Sequence, residues 1–250
     1  MGGQPHGAVR GGRTPGFVVS PSSMPRAGVF TYVRPLSEVG RQAVPYPVPK
    51  QVVDKLVAGA LLLLLSPVVL IALAAMAVDS LVSRRDRGPV LYQERRISGG
   101  RRFEMLKFRT LRKDALAEMR RTGSHARLYE ADPQNLTWVG RRVLKPWYLD
   151  EIPQLLNVLR GDISLVGPRP WPPAMVERQA AEGQDYRNLV LAGLTGPAQV
   201  TKGSDLRYAD LDLAYVERCR TLGGWELARY DLAILWQTVR VIARGEGLSY

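Results

Sequence analysis

Residues 56–78 read LVAGALLLLLSPVVLIALAAMAV, 23 residues without a charge. About 20 apolar residues suffice to reach across the hydrocarbon core of a bilayer. A buried helix of this length in a water-soluble domain would usually show a polar face. The stretch therefore reads as a membrane helix ahead of a core helix. Whether it crosses is a separate matter. Lys50 and Lys55 precede it, and Arg84, Arg85 and Arg87 follow it. Basic flanks stay in the cytoplasm, and here both flanks are basic. Ser66-Pro67 lies at the middle, where proline removes a helix hydrogen bond and bends the chain. The freed carbonyl then needs a local partner, such as the Ser66 hydroxyl, because lipid offers none. A kinked helix that enters one leaflet and returns, and a bent helix that spans, both remain open on this evidence.

Working outward, residues 84–121 hold 13 Lys and Arg against five Asp and Glu. A basic block placed directly after a membrane segment can face anionic headgroups. Within it, PVLYQERR and RRFEMLKFRT read as two short strands, with Ser98-Gly99-Gly100 as a hairpin turn. Residues 114–129 read as a polar helix, and Asp132-Pro133-Gln134-Asn135 as loop. On the other side, residues 1–48 are rich in Gly, Pro, Ser and Arg, with Glu38 their only acid. They read as a disordered basic tail, and not as a cleaved signal, since the apolar run lies too far from Met1.

The whole chain of 250 residues carries a formal net charge of +12, with 46% hydrophobic residues. That hydrophobic share supports a sizeable core, and the charge implies an anionic partner: nucleic acid, membrane or phosphorylated substrate. Cys219 is the single cysteine, which excludes an internal disulfide scaffold. His6 and His125 are the only histidines, too few for a zinc cluster. No nucleic-acid recognition motif accompanies the charge.

The chemistry-bearing stretch is residues 145–170, KPWYLDEIPQLLNVLRGDISLVGPRP. Ile152, Leu155, Leu156 and Leu159 follow helical spacing. Asp150 and Glu151 stand at the start of that helix, with Pro153 still in its first turn. In one reading Asp150 is an N-cap and Glu151 a first-turn acid; local evidence alone favours it. In the other, two adjacent acids in a basic chain are a nucleophile and a metal ligand. An aspartate can carry a covalent phosphoryl group, provided cations and a metal offset its repulsion from a diphosphate. Beyond the helix, Gly167-Pro168-Arg169-Pro170 restrains the chain around Arg169. A rigid guanidinium suits bidentate phosphate binding, although a turn with an ordinary surface arginine has the same sequence.

Taken in order, these motifs resemble the bacterial sugar transferases of the short, monotopic polyprenyl-phosphate phosphoglycosyl transferase type. The series is Lys50, Asp54 and Ser66-Pro67; Lys107-Phe108-Arg109-Thr110; Leu149-Asp150-Glu151-Ile152-Pro153-Gln154; Asn157-Val158-Leu159-Arg160-Gly161-Asp162; Val166-Gly167-Pro168-Arg169-Pro170; and Gly193-Leu194-Thr195-Gly196-Pro197-Ala198-Gln199-Val200. A terminal helix near residues 230–244 continues it. The chain departs from the family pattern at Lys145, where an arginine is usual. The spacing from Gly140 is also one residue longer. Tyr148 replaces a Ser or Thr, and Leu191-Ala192 replaces Arg-Pro.

The resemblance implies an α+β fold, mostly helical with a small β-hairpin, built as a re-entrant membrane helix and a cytoplasmic catalytic domain. The expected parts are a tail at 1–48, the membrane helix at 49–83, the catalytic domain at 84–210, and a helical segment at 211–250 packed on the domain or the membrane interface. It implies transfer of a sugar 1-phosphate from a nucleoside diphosphate sugar, usually a UDP-sugar, to polyprenyl phosphate at the cytoplasmic face of the inner membrane, as the opening step of surface glycan synthesis such as exopolysaccharide biosynthesis. Asp150 would be the nucleophile, and Glu151 with Asp150 would hold Mg2+. Lys145, Arg169, Arg109, Lys107 and Gln199 would bind substrate, and Ser66 and Pro67 would set the kink. The alternative is a membrane-tethered scaffold in which the departures have abolished transfer. Nucleic acid is not an expected partner, and the sequence leaves the oligomeric state open, a homodimer included.

Overall fold

A computed structural model describes residues 43–124, 126–201 and 207–244, all within the unit Arg34–Tyr250. The basic tail as far as residue 42, and His125, lie outside the described residues.

The apolar run forms the middle of α1, Val48–Val82, an uninterrupted helix of 35 residues, about 52 Å long at 1.5 Å per residue. Only 11% of its most apolar window is buried, which a soluble core helix would not tolerate. Its buried positions fall on one stripe: Lys50, Asp54 and Ala58, then Ala72 and Met76. Both ends are fastened to the same unit. Near the start, Ser164 Oγ donates to Asp54 Oδ2 at 2.6 Å, and Lys50 pairs with Asp231. Near the finish, Asp79 Oδ2 accepts from the Val139 amide at 3.1 Å.

The hairpin forms where expected, as β1, Leu91–Ser98, and β2, Arg101–Phe108, with Ser98 opposite Arg101. Gly99 and Gly100 turn at φ 53° and 72°, the left-handed pair that a two-residue hairpin loop requires. The expected polar helix is two: α2, Lys113–Thr122, and α3, Ala126–Glu130, parted at Gly123 with φ 63°. The stretch read as loop at 132–135 contains a 3-10 turn, Pro133–Asn135, with Asp132 accepting from the Gln134 amide.

Then come α4, Gln154–Arg160, β3, Ser164–Val166, α5, Pro173–Ala181, β4, Gly193–Thr195, and α6, Pro197–Val200. Strands β3 and β4 pair in parallel, Ser164 with Gly193 and Val166 with Thr195. A Cβ on Gly193 would lie 2.1 Å from the Gly167 amide, so no larger residue fits that crossing. The last described elements are α7, Tyr208–Thr221, and α8, Gly224–Ala243, the latter starting six residues before the expected position. One large apolar core joins α1, the α4–β3 region, α7 and α8; a smaller one lies under α2.

Candidate active site

The acid pair occupies a short 3-10 turn, Leu149–Glu151, just ahead of α4. It is entered through Tyr148 at φ 54°, the only non-glycine residue with positive φ among the described residues. Left-handed backbone costs an L-residue about 1–2 kcal/mol, and here it swings the chain so that Asp150 turns inward. Asp150 does not cap α4, whose N-cap position belongs to Pro153. Its carboxylate is 3% exposed and faces Lys145 Nζ at 3.3 Å.

Lys145 arrives by a π turn, Gly140–Leu144, with the Lys145 amide donating to the Gly140 carbonyl at 3.0 Å. A π turn holds one residue more than an α turn, which accommodates the longer spacing from Gly140. Gly140 itself is wedged; an added Cβ would lie 2.6 Å from the Thr110 carbonyl. Lys145 Nζ also donates to Glu130 Oε2 at 2.6 Å, and Thr110 Oγ1 donates to Glu130 Oε1 at 2.8 Å. Glu130, at the end of α3, was not foreseen; nothing local distinguishes it from its polar neighbours. Glu151 is one-third exposed and accepts from Lys107 Nζ, on β2, at 3.2 Å.

Burial pushes the Asp150 carboxyl up to about 6, against the pull of Lys145. Burial also raises the Glu151 carboxyl, but Lys107, Arg169 and Lys145 outweigh it and leave Glu151 below its ordinary value. Burial would lower the Lys145 ammonium; Asp150 and Glu130 carry it above its usual range instead. The result is one carboxylate reserved among cations and a second kept ionised beside it.

The Gly167-Pro168-Arg169-Pro170 segment leaves β3, and Arg187 Nη1 holds the Arg169 carbonyl at 2.8 Å. Arg187 stacks 4.0 Å above the Trp171 ring and pairs with Asp212 at 2.9 Å. Gln199 lies on α6 beside Gly196; both ends of its amide are buried without a hydrogen-bond partner among the described residues.

Arg109, expected from the motif to bind substrate, is engaged by the backbone of the segments around it. Its guanidinium donates to the carbonyls of Pro89, at 2.8 Å, Leu111, at 2.7 Å, and Asp86. With three of its five N–H donors on backbone, it ties the end of the hairpin to the segment after α1. Ser66 and Pro67 lie mid-way along α1, where Ser66 Oγ donates to the Leu63 carbonyl.

Among the described residues no three His, Cys, Asp or Glu side chains converge as a metal cage. Mg2+ asks less of a protein: one or two carboxylates, with substrate phosphates and water completing the shell. Asp150 and Glu151 fit that requirement.

Comparison with known proteins matches residues 46–245 to the family described as bacterial sugar transferase. The chain is 36% identical over 196 residues to a UDP-galactose-lipid carrier transferase of Erwinia amylovora, covering 73% of this chain and 39% of that protein. It is 35% identical to the exopolysaccharide production protein ExoY of Rhizobium meliloti, covering 79% and 87%. It is also 35% identical to a UDP-glucose:undecaprenyl-phosphate glucose-1-phosphate transferase of Caulobacter vibrioides, covering 76% and 68%. The chain thus spans about two fifths of the Erwinia protein and most of the Rhizobium one.

Proposed function

The chain belongs to the bacterial sugar transferase family, and from that premise we propose that it is a phosphoglycosyl transferase working through Asp150. The donor is a nucleoside diphosphate sugar, taken as a UDP-sugar, and the acceptor is a polyprenyl phosphate. An Asp150 carboxylate oxygen attacks the sugar-bearing phosphorus. The P–O bond to the inner phosphate breaks and nucleoside monophosphate leaves with that electron pair. A phosphate oxygen of the acceptor then attacks the same phosphorus, the acyl-phosphate bond breaks, and Asp150 regains its carboxylate. Lys145 and Lys107 offset the repulsion between anionic nucleophile and anionic donor. Arg169 holds phosphate, and Gln199 offers its unsatisfied amide to the donor. Mg2+, held by Glu151 with Asp150, would supply charge neutralisation on the diphosphate.

The observation that carries this reading is the buried Asp150 carboxylate set 3.3 Å from Lys145 and next in sequence to the Glu151–Lys107 pair. A cap or a plain surface acid would need neither burial nor an ammonium held against it. The membrane part of the proposal is a re-entrant α1, with the protein on the cytoplasmic face of the inner membrane. Its support is that Asp54 and Asp79, on opposite sides of the apolar run, are both hydrogen-bonded to the same unit.

The test is intact-mass spectrometry of the full chain with UDP-sugar and Mg2+ but no acceptor. Wild type should gain the mass of a phosphosugar and release UMP. Asp150→Asn should do neither; an adduct of undiminished yield on that variant would remove Asp150 from the role.

A further inference from the structure

Beside the end of α1 lies a groove of about 350 Å³, lined by Arg87, Lys113 and Arg120 around Pro89, Leu116 and Ala117. None of the residues gathered around Asp150 lines it. Lys113, Leu116, Ala117 and Arg120 fall at i, i+3, i+4 and i+7, so one face of α2 forms a wall. The segment after α1 forms the other, with Arg87 Nε anchored to the Ser80 carbonyl at 3.0 Å.

The charge balance there is one-sided. Arg87, Lys113 and Arg120 make no ion pair among the described residues, while the nearby carboxylates are engaged by other arginines: Asp86 by Arg112, Asp114 by Arg85, Glu118 by Arg121. Three unneutralised cations converge on an apolar floor. Next to them Leu81 and Val82, the last residues of α1, are 76% and 82% exposed. Apolar side chains facing outward, followed at once by a cationic groove, reproduce the order of a leaflet: acyl chain, then phosphate.

We propose that this groove is a binding site for the phosphodiester headgroup of an acidic membrane phospholipid, separate from the site at Asp150. The three cations hold the phosphate, and Pro89, Leu116 and Ala117 take the glycerol edge and first methylenes. The inference rests on the membrane placement of α1. An anionic lipid clamped here would fix the depth of α1 and of the hairpin that follows it.

Native mass spectrometry of the full chain in detergent, titrated with phosphatidylglycerol or phosphatidylcholine, tests this. Wild type should retain phosphatidylglycerol with a preference of at least about tenfold, since each basic side chain near a lipid phosphate contributes severalfold. Arg87→Gln/Lys113→Gln/Arg120→Gln should lose that preference. A control of equal charge change on other exposed arginines, Arg101→Gln/Arg160→Gln/Arg178→Gln, should keep it. Lys113→Gln alone, at an exposed position, gives a partial loss should the triple variant fold poorly. Equal retention of both lipids by wild type, or equal loss in the control, overturns the site. Displacement of phosphatidylglycerol by millimolar inorganic phosphate would make it a small-anion site instead. A wild type that takes up neither lipid sinks the membrane placement as well.

Discussion

Ser66 Oγ donates to the Leu63 carbonyl across 2.7 Å, and that carbonyl is the one Pro67 leaves without a helical N–H. The pair lies in the exposed middle of α1, where Leu63 itself is 78% exposed. In hydrocarbon no water can replace the missing donor, so serine and proline act as one unit. Ser66→Ala should lower thermal stability in detergent by about 1 kcal/mol. Ser66→Ala/Pro67→Ala should recover it, because alanine restores the N–H. Equal losses in the single and double variants would break the coupling.

The same unit bears on topology. In a Cys219→Ala background, cysteines at Val48 and Arg84 flank the apolar run at exposed positions. A membrane-impermeant maleimide should label both from the cytoplasmic face of vesicles. Labelling from opposite faces would make α1 a spanning helix and leave the chemistry at Asp150 untouched.

Arg109 offers a sharper separation of structure from substrate. Three carbonyls hold its guanidinium, one on each nitrogen, and burial lowers its pKa, with Asp86 and Asp79 opposing. Lysine keeps the charge but cannot fan three ways. Arg109→Lys should therefore lower the melting temperature by several degrees while leaving the donor KM within about twofold. These limits follow from a loss of about 1–3 kcal/mol in buried hydrogen bonds. A raised KM at unchanged stability would return Arg109 to the substrate.

The uneven legibility of the sequence has a physical cause. The apolar run and the Gly99-Gly100 turn are readable because each signal is local, length and left-handed turn chemistry, whereas adjacency alone favours a cap at Asp150 and only the ordered series of motifs points to a nucleophile. From the sequence α8 starts late, near residue 230; in the fold Glu226 closes its first turn by accepting from the Gly223 amide at 3.1 Å. Strands β3 and β4 were invisible, as three residues carry no period. The motif gives the position of Arg109 and not its direction, so its three backbone carbonyls are visible only in the fold. Glu130 and the Arg187–Asp212 pair become meaningful only once distant segments meet.

Asp231 makes stability depend on pH. Lys50 serves two buried carboxylates, Asp54 at 3.6 Å and Asp231. Burial pushes the Asp231 carboxyl from 3.8 up to about 6, with Lys50 opposing. Between those values the folded chain holds a proton that the unfolded chain has released. Stability therefore falls as pH rises from about 4 to 6, and this contribution is level above that. Its size is on the order of 2 to 3 kcal/mol. Asp231→Asn, which leaves one ammonium to one carboxylate, should flatten the slope of melting temperature against pH relative to wild type. Parallel slopes would show that Asp231 does not titrate there.

Arg187 should act on the donor through Arg169. Its guanidinium reaches Gln179 at 3.0 Å, the Arg169 carbonyl at 2.8 Å and Asp212 at 2.9 Å while stacked on Trp171. Lysine can satisfy Asp212 but not the Arg169 carbonyl as well. Arg187→Lys should raise the donor KM about tenfold, the scale of one charge-assisted hydrogen bond, with a smaller change in kcat. Arg187→Ala is a different experiment, because it strands a buried carboxylate that burial already pushes up to about 6. Breaking such a pair costs about 3–5 kcal/mol, and Arg187→Ala/Asp212→Asn should restore most of that stability without restoring the KM. Recovery of both together would mean that Arg187 only holds the fold and does not position Arg169.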